Sequence, residues 1–495
     1  MTEDQKSYRQ IFKATSIFGG VQVFKIIISI IRSKVVAVLL GPSGMGIINL
    51  LVSTTGFITT LTNFGLGTSA VKNVAAATAT GDNEKARLTI TVLKILVKYT
   101  GILGVVLTAV FSPLLSRLTF GNNDYILAFI WISITLLLQQ LSSGQLVVLQ
   151  GLRKLKELAK ANLYGSLFGL IISIPIYYFW KFEGIVPVIV LSSIVSMVFS
   201  WYYAGKLRIR TVNVTRKDIL NEGKDMLKMG FMINLSTLIS VGVSFLIQIY
   251  ISNTGGVKDV GFYSAGFAII NSYVSMIFTA MYTDYYPRLA GISNDNCKAK
   301  TLINQEVEIA ILILAPLIAI FLVFINVIVI LLYSKEFIVI TDMIQWVALG
   351  MYFKAISWSI ATIFLAKGDS RLFFWNSFSQ TLYTLMFSIL GYKLLGLEGL
   401  GLSFLFSFFV YSVQVFVVSR MKYSFSFTKE FYKIGGTLFL IGLSCFLIMK
   451  TSSSPWQYII GTSIIIITVI YALKELNHRI DLKSVIVNYR YKFQN

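Results

Sequence analysis

Long apolar runs separated by short charged or turn-rich breaks make up most of this chain. Runs of about 20 residues can cross a bilayer as helices, whereas membrane β-strands alternate over about 10 residues. The pattern predicts about fourteen such helices, at 12–40, 45–71, 88–115, 124–150, 159–180, 185–205, 228–252, 259–287, 306–332, 338–366, 371–393, 397–419, 432–450 and 456–474. We therefore expect an all-α integral membrane protein.

An internal repeat divides this pattern into two similar parts. At an offset of about 213 to 217 residues, GPSGMGIINL matches GVKDVGFYSA, GDNEKAR matches NDNCKAK, QGLRK matches KGDSR, and FEGIV matches LEGLG. Each copy spans an even number of helices, so the two lobes are parallel and related by a pseudo-two-fold axis along the membrane normal. The predicted domains are a six-helix lobe at 1–205, a basic cytoplasmic linker at 206–227, a six-helix lobe at 228–420, and two extra helices with a tail at 421–495.

The charge distribution indicates orientation. The chain has 495 residues, 56% of them hydrophobic and 13% charged, with a formal net charge of +21. Cations concentrate in alternate loops, and the other loops hold single cations, namely Arg117, Lys181, Lys258, Lys335, Lys393 and Lys450. Because basic loops remain in the cytoplasm, both termini are predicted to be cytoplasmic, and the basic excess requires no nucleic acid.

The first predicted helix carries the cations Lys25, Arg32 and Lys34 well inside its apolar run. A cation near the bilayer centre costs about 2.5–3.5 kcal/mol, so such residues usually face a watery cavity. Lys25 and Arg32 are two turns apart and share a face, whereas Lys34 points elsewhere. Alternatively, Arg32 and Lys34 lie near the helix end and extend to the headgroups.

Further candidate cations are Lys72 at the end of the second helix, Lys94 and Lys98 on one face of the third, and Lys354 near the centre of the tenth. Lys94 also fits a solvated helix entrance. The carboxylates of the first lobe all fall in loops or at helix ends. A cavity lined by these cations would attract anions, and a diphosphate fits because it can bind several cationic groups at once.

Four carboxylates of the second lobe are candidates for coupling to H⁺ or Na⁺, namely Asp284, Glu306, Glu308 and Asp342. The alternative is that each is simply solvated, as carboxylates at helix ends usually are. Amides inside the predicted spans could bind sugar hydroxyls or join helices to one another, and they include Gln140, Asn234 and Gln414.

Signals for catalysis are weak. The only histidine, His478, lies in the C-terminal tail, and the two cysteines, Cys297 and Cys445, form no disulfide framework. No metal-ligand spacing, nucleotide loop or nucleophile motif stands out. We expect no enzyme activity, no cofactor, no metal and no catalytic residue. A membrane glycan polymerase or ligase would need a sizeable outer loop, and none is predicted.

Four segments resemble one known family. RSKVVAVLLGPSGMGIINL, AVKNVA, LQGLRKLKELAKAN and YYPRLAG are similar to bacterial O-antigen and lipid-linked oligosaccharide flippases of the multidrug/oligosaccharidyl-lipid/polysaccharide exporter (MOP) superfamily. The likeness covers about residues 10–420. It is greatest to the enterobacterial common antigen (lipid III) type, which has lysines at positions matching Lys25, Lys34 and Lys72.

The resemblance implies a MATE-like fold with a central cavity, in the bacterial inner membrane. It implies translocation of an undecaprenyl-diphosphate-linked oligosaccharide, such as an O-antigen unit of lipopolysaccharide, to the periplasmic leaflet. Polysaccharide polymerase or assembly proteins are candidate partners. Lipid II flippases of the superfamily have an arginine matching Arg32, but their second-lobe arginine falls near Gly266 or Phe267 here and is missing. A lipid II flippase and an ion-coupled multidrug antiporter remain alternatives.

Overall fold

The computed structural model describes residues 23–79, 83–207, 212–452 and 455–480, and this part of the chain is helical with no β-strand. The first helix, α1, is described over 23–39. The next are α2 (Gly41–Thr62), α3 (Leu66–Ala79), α4 (Asn83–Val110), α5 (Ser112–Phe120), α6 (Ile126–Gly151), α7 (Leu155–Trp180) and α8 (Ile185–Gly205). They are followed by α9 (Arg216–Gly255), α10 (Val257–Gly291), α11 (Asn296–Leu332), α12 (Thr341–Ala366), α13 (Ser370–Tyr423), α14 (Lys429–Thr451) and α15 (Trp456–Ile480). Short 3-10 helices occupy Lys181–Gly184 and Lys335–Ile340.

Ten helical segments among the described residues are long and apolar enough to cross a membrane. Two of them, Leu155–Gly205 with 51 residues and Ser370–Tyr423 with 54, each contain two of the predicted spans. The predicted spans 12–40 and 259–287 include positions or side chains outside the described set. The protein is therefore a multi-pass, all-α membrane protein, as the apolar runs predict.

Two predicted helices are each divided by a local feature that hydropathy does not reveal. The predicted span 45–71 is broken between α2 and α3, where Phe64 and Gly65 have φ of 46° and 68°. Glycine adopts this left-handed conformation without steric cost, so the chain turns there. The predicted span 88–115 ends at Val110, because Pro113 lies in the first turn of the separate helix α5.

Helix α9 is longer than its apolar run predicts. The sequence predicts a helix over 228–252, but α9 begins at Arg216 and has 40 residues. Thr215 and Asp218 form a capping box, which satisfies two free backbone N–H groups at the helix start. The first turns of α9 are polar, so only a capping signal, and not hydropathy, marks their beginning.

Helix α13 folds back on itself at Gly396, whose φ of 57° is not helical. The two arms touch at Gly391 and Gly399, because a Cβ added to Gly399 would lie 1.9 Å from the Gly391 carbonyl oxygen. Lys422, near the end of the second arm, pairs with Asp369, the N-cap of the first. This hydrogen bond lowers the pKa of the Asp369 carboxyl.

The chain forms two compact units. The first ends at Gly261 and includes Leu332–Ser334, and the second comprises Phe262–Leu331 and the chain from Lys335 onward. Helix α9 belongs to the first unit, because it packs along α2 and α3. The lobe boundaries predicted from the repeat remain a prediction.

Within the first unit, the two copies of the repeated segment GPSGMG and GVKDVG contact each other reciprocally. A Cβ added to Gly46 would lie 1.9 Å from the carbonyl oxygen of Val257, and one added to Gly261 would lie 1.9 Å from that of Pro42. At an offset of 215, Pro42 corresponds to Val257 and Gly46 to Gly261. Such an exchange of equivalent contacts is what a two-fold axis produces.

Candidate functional site

Arg32 lies on α1 and extends toward α7. Its Nη2 donates a hydrogen bond to the Ser166 carbonyl at 3.5 Å, while its Nε is buried without a hydrogen-bond partner. Gly169, one turn further along α7, makes room for the guanidinium, because an added Cβ would lie 3.2 Å from Nη2. A guanidinium has five N–H donors. Most of them therefore have no protein acceptor within the described part of the chain.

The other cations predicted in this unit have different surroundings. Lys34 donates from Nζ to the Tyr333 carbonyl at 2.5 Å. Lys72 is exposed on α3, with its Nζ 4.0 Å from the Met229 sulfur. Lys25 is half-buried on α1.

Lys94 and Lys98 share one face of α4, as the spacing predicts. Lys94 is half-buried and Lys98 is exposed, while Leu93 and Val97 beside them are buried in the core. The predicted cations of the first unit are distributed along three of its helices, α1, α3 and α4. Their role as one anion-binding site remains a prediction.

Five of the predicted cations of this unit have no carboxylate partner among the described residues. Within the residues that the structure describes, no Asp or Glu oxygen lies within 4.0 Å of the charged groups of Lys25, Arg32, Lys72, Lys94 or Lys98. An uncompensated set of positive charges attracts anions and repels cations. The electrostatics of these residues thus favours an anionic ligand.

In the second unit, Lys354 lies on α12 among aromatic rings. The nearest ring centroid, that of Phe408, is 5.6 Å from Nζ, and those of Phe404 and Phe278 are 5.8 Å and 5.9 Å away. The sequence predicts a cation inside the helix at position 354, but it does not predict the aromatic rings around it. Phe404 and Phe408 are spaced i, i+4 and so share a face, whereas nothing in the sequence places Phe278 beside them.

The four predicted coupling carboxylates differ in their partners. Asp284 pairs with Arg288 at 3.1 Å, and both side chains are exposed. Asp342 pairs with Lys450 at 3.5 Å. Glu306 is half-buried, and no Lys or Arg nitrogen in the described segments lies within 4.0 Å of its carboxylate. The coupling role of these residues remains a prediction.

Glu308 is the most extensively bonded of the four. Its carboxylate accepts hydrogen bonds from Arg479 Nε at 2.9 Å and from Thr428 Oγ1 at 3.2 Å. Arg479 lies on α15, and Thr428 is the N-cap of α14. A carboxylate already neutralised by an arginine has little need of a proton or Na⁺. These contacts favour a structural role, which is to attach α14 and α15 to α11.

We expect Glu308→Ala to lower the free energy of unfolding by about 1–3 kcal/mol, because Arg479 loses a partner in a partly buried position. The measurement is the thermal unfolding of the purified protein. Asp284→Ala is the matched control, since its ion pair is exposed and contributes about 1 kcal/mol or less. Equal melting temperatures for Glu308→Ala and Asp284→Ala would contradict the structural role.

Several of the amides bond within the protein. Gln140 donates to Thr100 Oγ1 at 3.0 Å, and Asn234 donates to the Thr60 carbonyl at 2.8 Å. Gln414 donates to Asn376 Oδ1 at 2.7 Å across the two arms of α13. These three side chains join helices, which is the second of the two roles predicted for them.

Comparisons with solved structures identify the fold. The lipid II flippase MurJ in an inward closed conformation superposes with a TM-score of 0.71 at 14% identity, over 93% of this chain and 98% of that one. An inward-facing multidrug resistance MATE family transporter of the MOP superfamily gives 0.64 at 16% identity, over 81% and 94%. A MOP superfamily transporter from Pyrococcus furiosus, described as having a binding pocket of reversed polarity, gives 0.54 at 18% identity, over 82% and 95%. The MATE-like fold predicted from the sequence is therefore confirmed.

Comparison with curated protein sequences yields no significant match. A family model described as polysaccharide biosynthesis protein matches residues 35–342. The match includes three of the six predicted cations of the first lobe, Lys72, Lys94 and Lys98, and begins just after the other three on α1. On this match, the chain belongs to the polysaccharide biosynthesis protein family.

Proposed function

We propose that this protein is a flippase that translocates an undecaprenyl-diphosphate-linked oligosaccharide from the cytoplasmic to the periplasmic leaflet of a bacterial inner membrane. The diphosphate would bind the cations of the first lobe, with Arg32 as the main residue. Lys25, Lys34, Lys72, Lys94 and Lys98 would provide additional positive charge. The oligosaccharide would occupy an aqueous cavity, and the polyprenyl tail would remain in lipid.

The observation that carries this proposal is the Arg32 guanidinium, which has several free donors and no carboxylate partner among the described residues. Arginine binds diphosphate oxygens in pairs, so the unused donors match this ligand. Partial neutralisation of these buried cations by the diphosphate would give the difference in affinity between two conformations that a switch between states needs. Membership of a polysaccharide biosynthesis family supports a glycan as the cargo.

The proposal is tested with purified protein reconstituted in liposomes that contain a fluorescent polyprenyl-diphosphate disaccharide. Transport to the opposite leaflet is measured as loss of accessibility to a membrane-impermeant reagent. We expect translocation well above that of protein-free liposomes, and no acceleration for the same disaccharide linked through an uncharged ether. Equal rates with and without protein would refute the proposal.

A lipid II flippase is the main alternative, since the MurJ fold and an arginine at position 32 are compatible with it. A deletion strain separates the two, because it accumulates on its inner leaflet the precursor that is no longer exported. A muropeptide-bearing precursor identifies lipid II, and a precursor without peptide identifies an oligosaccharide cargo. A cation antiporter is disfavoured, since the cations of the first unit would repel its substrate.

A further inference from the structure

Four aromatic side chains of α7 and α8 form a continuous row of ring contacts, which we call the aromatic ladder. Tyr164 and Phe168 are spaced i, i+4 on α7, so they share a helix face. Phe199 and Tyr203 have the same spacing on α8. The ring centroids of Tyr203 and Tyr164 are 6.2 Å apart, those of Tyr164 and Phe199 are 5.9 Å apart, and those of Phe199 and Phe168 are 5.2 Å apart.

The aromatic ladder lies away from the site around Arg32. Ser166 and Gly169 are the residues of α7 that approach the Arg32 guanidinium. Because successive residues of an α-helix are rotated by about 100°, Tyr164 and Phe168 lie on the opposite side of α7. Phe168 is 41% exposed although it lies within a membrane-spanning segment. The ladder therefore faces lipid.

A lysine lies at one end of the aromatic ladder. The Nζ of Lys206 is 4.5 Å from the ring centroid of Tyr202 and 5.2 Å from that of Tyr203. Lys206 is exposed and directly follows the membrane-spanning segment, at its predicted cytoplasmic end. In the part of the chain that the structure describes, no Asp or Glu oxygen lies within 4.0 Å of its ammonium group. Its charge is therefore available to an anion at the membrane surface.

The second copy of the repeat lacks both the ladder and the lysine. FEGIV matches LEGLG at an offset of 215 residues, and the same offset places Met421 at the position of Lys206. The positions that correspond to the ladder are Ser379, Tyr383, Gln414 and Val418. Among them, Tyr383 donates a hydrogen bond to Gln414 at 2.6 Å. The repeat thus folds without a row of rings, which favours a binding role for the ladder over a structural one.

We infer that Lys206 and the aromatic ladder form a binding site for an anionic phospholipid of the cytoplasmic leaflet, such as phosphatidylglycerol. The phosphate pairs with the Lys206 ammonium group, and one acyl chain lies along the rings. Helix α8 rises by 1.5 Å per residue, so Lys206 and Phe199 are separated by about 10 Å along its axis. This distance leads from the headgroup region into the hydrocarbon core.

The chemistry of the site favours a phospholipid over the lipid-linked substrate. A phosphodiester has one negative charge, which one ammonium group neutralises. A diphosphate has more charge and more acceptor oxygens, and each oxygen needs a donor when it leaves water. The inference does not depend on the proposed function, because the ladder and the Arg32 contacts lie on opposite sides of α7.

The test uses the full-length protein in phosphatidylcholine nanodiscs that contain a trace of a photoreactive lipid, either phosphatidylglycerol or phosphatidylcholine with the reactive group in one acyl chain. Cross-linked peptides are identified by mass spectrometry. We expect the peptides of α7 and α8 that carry the ladder to be labelled about fivefold more by phosphatidylglycerol, because a lysine near the surface contributes about 1 kcal/mol to the binding of an anionic lipid. Lys206→Gln is expected to remove this preference and leave labelling by phosphatidylcholine unchanged.

Two further variants serve as controls. Lys433→Gln removes an exposed lysine near the start of α14 and should retain the preference. Lys206→Arg retains the positive charge and should retain the preference too, which keeps the inference testable if Lys206→Gln does not fold. The inference is overturned if both lipids label the wild type equally, or if the preference persists in Lys206→Gln.

Competition separates a phospholipid from the transported substrate. Unlabelled phosphatidylglycerol should displace the label more effectively than the same concentration of polyprenyl diphosphate. The reverse order would assign this surface to the substrate and overturn the inference. Absence of translocation in the liposome experiment would refute the proposed function but would leave this labelling pattern unchanged.

Discussion

Arg32→Gln is expected to abolish translocation of the lipid-linked oligosaccharide while the protein still inserts and folds. Glutamine retains a polar group that can donate to the Ser166 carbonyl, but it removes the positive charge and the paired donors that match a diphosphate. A charge-assisted hydrogen bond is worth about 1.5–3 kcal/mol, and Arg32 would provide two or more of them. The measurement is the translocation rate in proteoliposomes, and we expect a loss of about a hundredfold or more.

Arg117→Gln is the matched control, since Arg117 lies at an exposed position on α5 and bonds Asn123 at 2.8 Å. It should translocate at the wild-type rate. Arg32→Lys tests geometry separately from charge, because lysine retains the charge but loses the planar fork of donors. Partial activity is expected for Arg32→Lys. Normal rates in Arg32→Gln would mean that this residue only anchors α1 to α7.

The fold could be predicted from the sequence because bilayer-spanning helices have a strong hydropathy signal. The apolar runs and the repeat between Gly41 and Gly256 indicated the fold class, and the structural comparisons bear it out. Helix ends in water could not be predicted in the same way. The start of α9 at Arg216 depends on the Thr215 cap, and the break at Gly65 depends on one backbone angle. Neither feature changes the mean hydropathy of the segment, so hydropathy could not predict them.

The candidate site could be predicted in its residue types but not in its contacts. A charged side chain inside a bilayer is costly in free energy, so the sequence alone identifies Arg32 and Lys354 as residues that face the protein interior or a water-filled cavity. It does not identify their partners. Their actual neighbours come from distant parts of the chain, Ser166 for one and Phe278 for the other. The partner of Glu308 could not be predicted at all, because Arg479 lies beyond the predicted helix 456–474, in what the sequence identified as the C-terminal tail, whereas α15 extends to Ile480.

The two copies of the repeated segment constrain each other's position. Gly46 packs against Val257, and Gly261 packs against Pro42. Small residues allow membrane helices to approach closely, and here each glycine lies against a backbone carbonyl of the other copy. Because both contacts join the start of α2 to the start of α10, a movement that separates these two helices breaks both. Conformations that separate the two segments must give up both contacts together, so the pair favours the conformation seen here.

Gly46→Ala is therefore expected to destabilise this conformation by about 1–3 kcal/mol, the usual cost of forcing extra volume into a packed contact. The added Cβ would meet the Val257 carbonyl oxygen at 1.9 Å, and backbone atoms cannot rotate away as a side chain does. Thermal unfolding of the purified protein measures the change, and Gly261→Ala should produce a similar decrease, since the two positions are equivalent in the repeat.

Gly56→Ala is the control within the same helix. Gly56 has nothing within 4 Å of an added Cβ, so alanine should stabilise α2 there by up to about 1 kcal/mol, through its better helix propensity. Opposite signs at positions 46 and 56 would separate close packing from helix propensity. Unchanged stability in both Gly46→Ala and Gly261→Ala would mean that α2 and α10 move apart without cost, and the contact would then have no part in selecting this conformation.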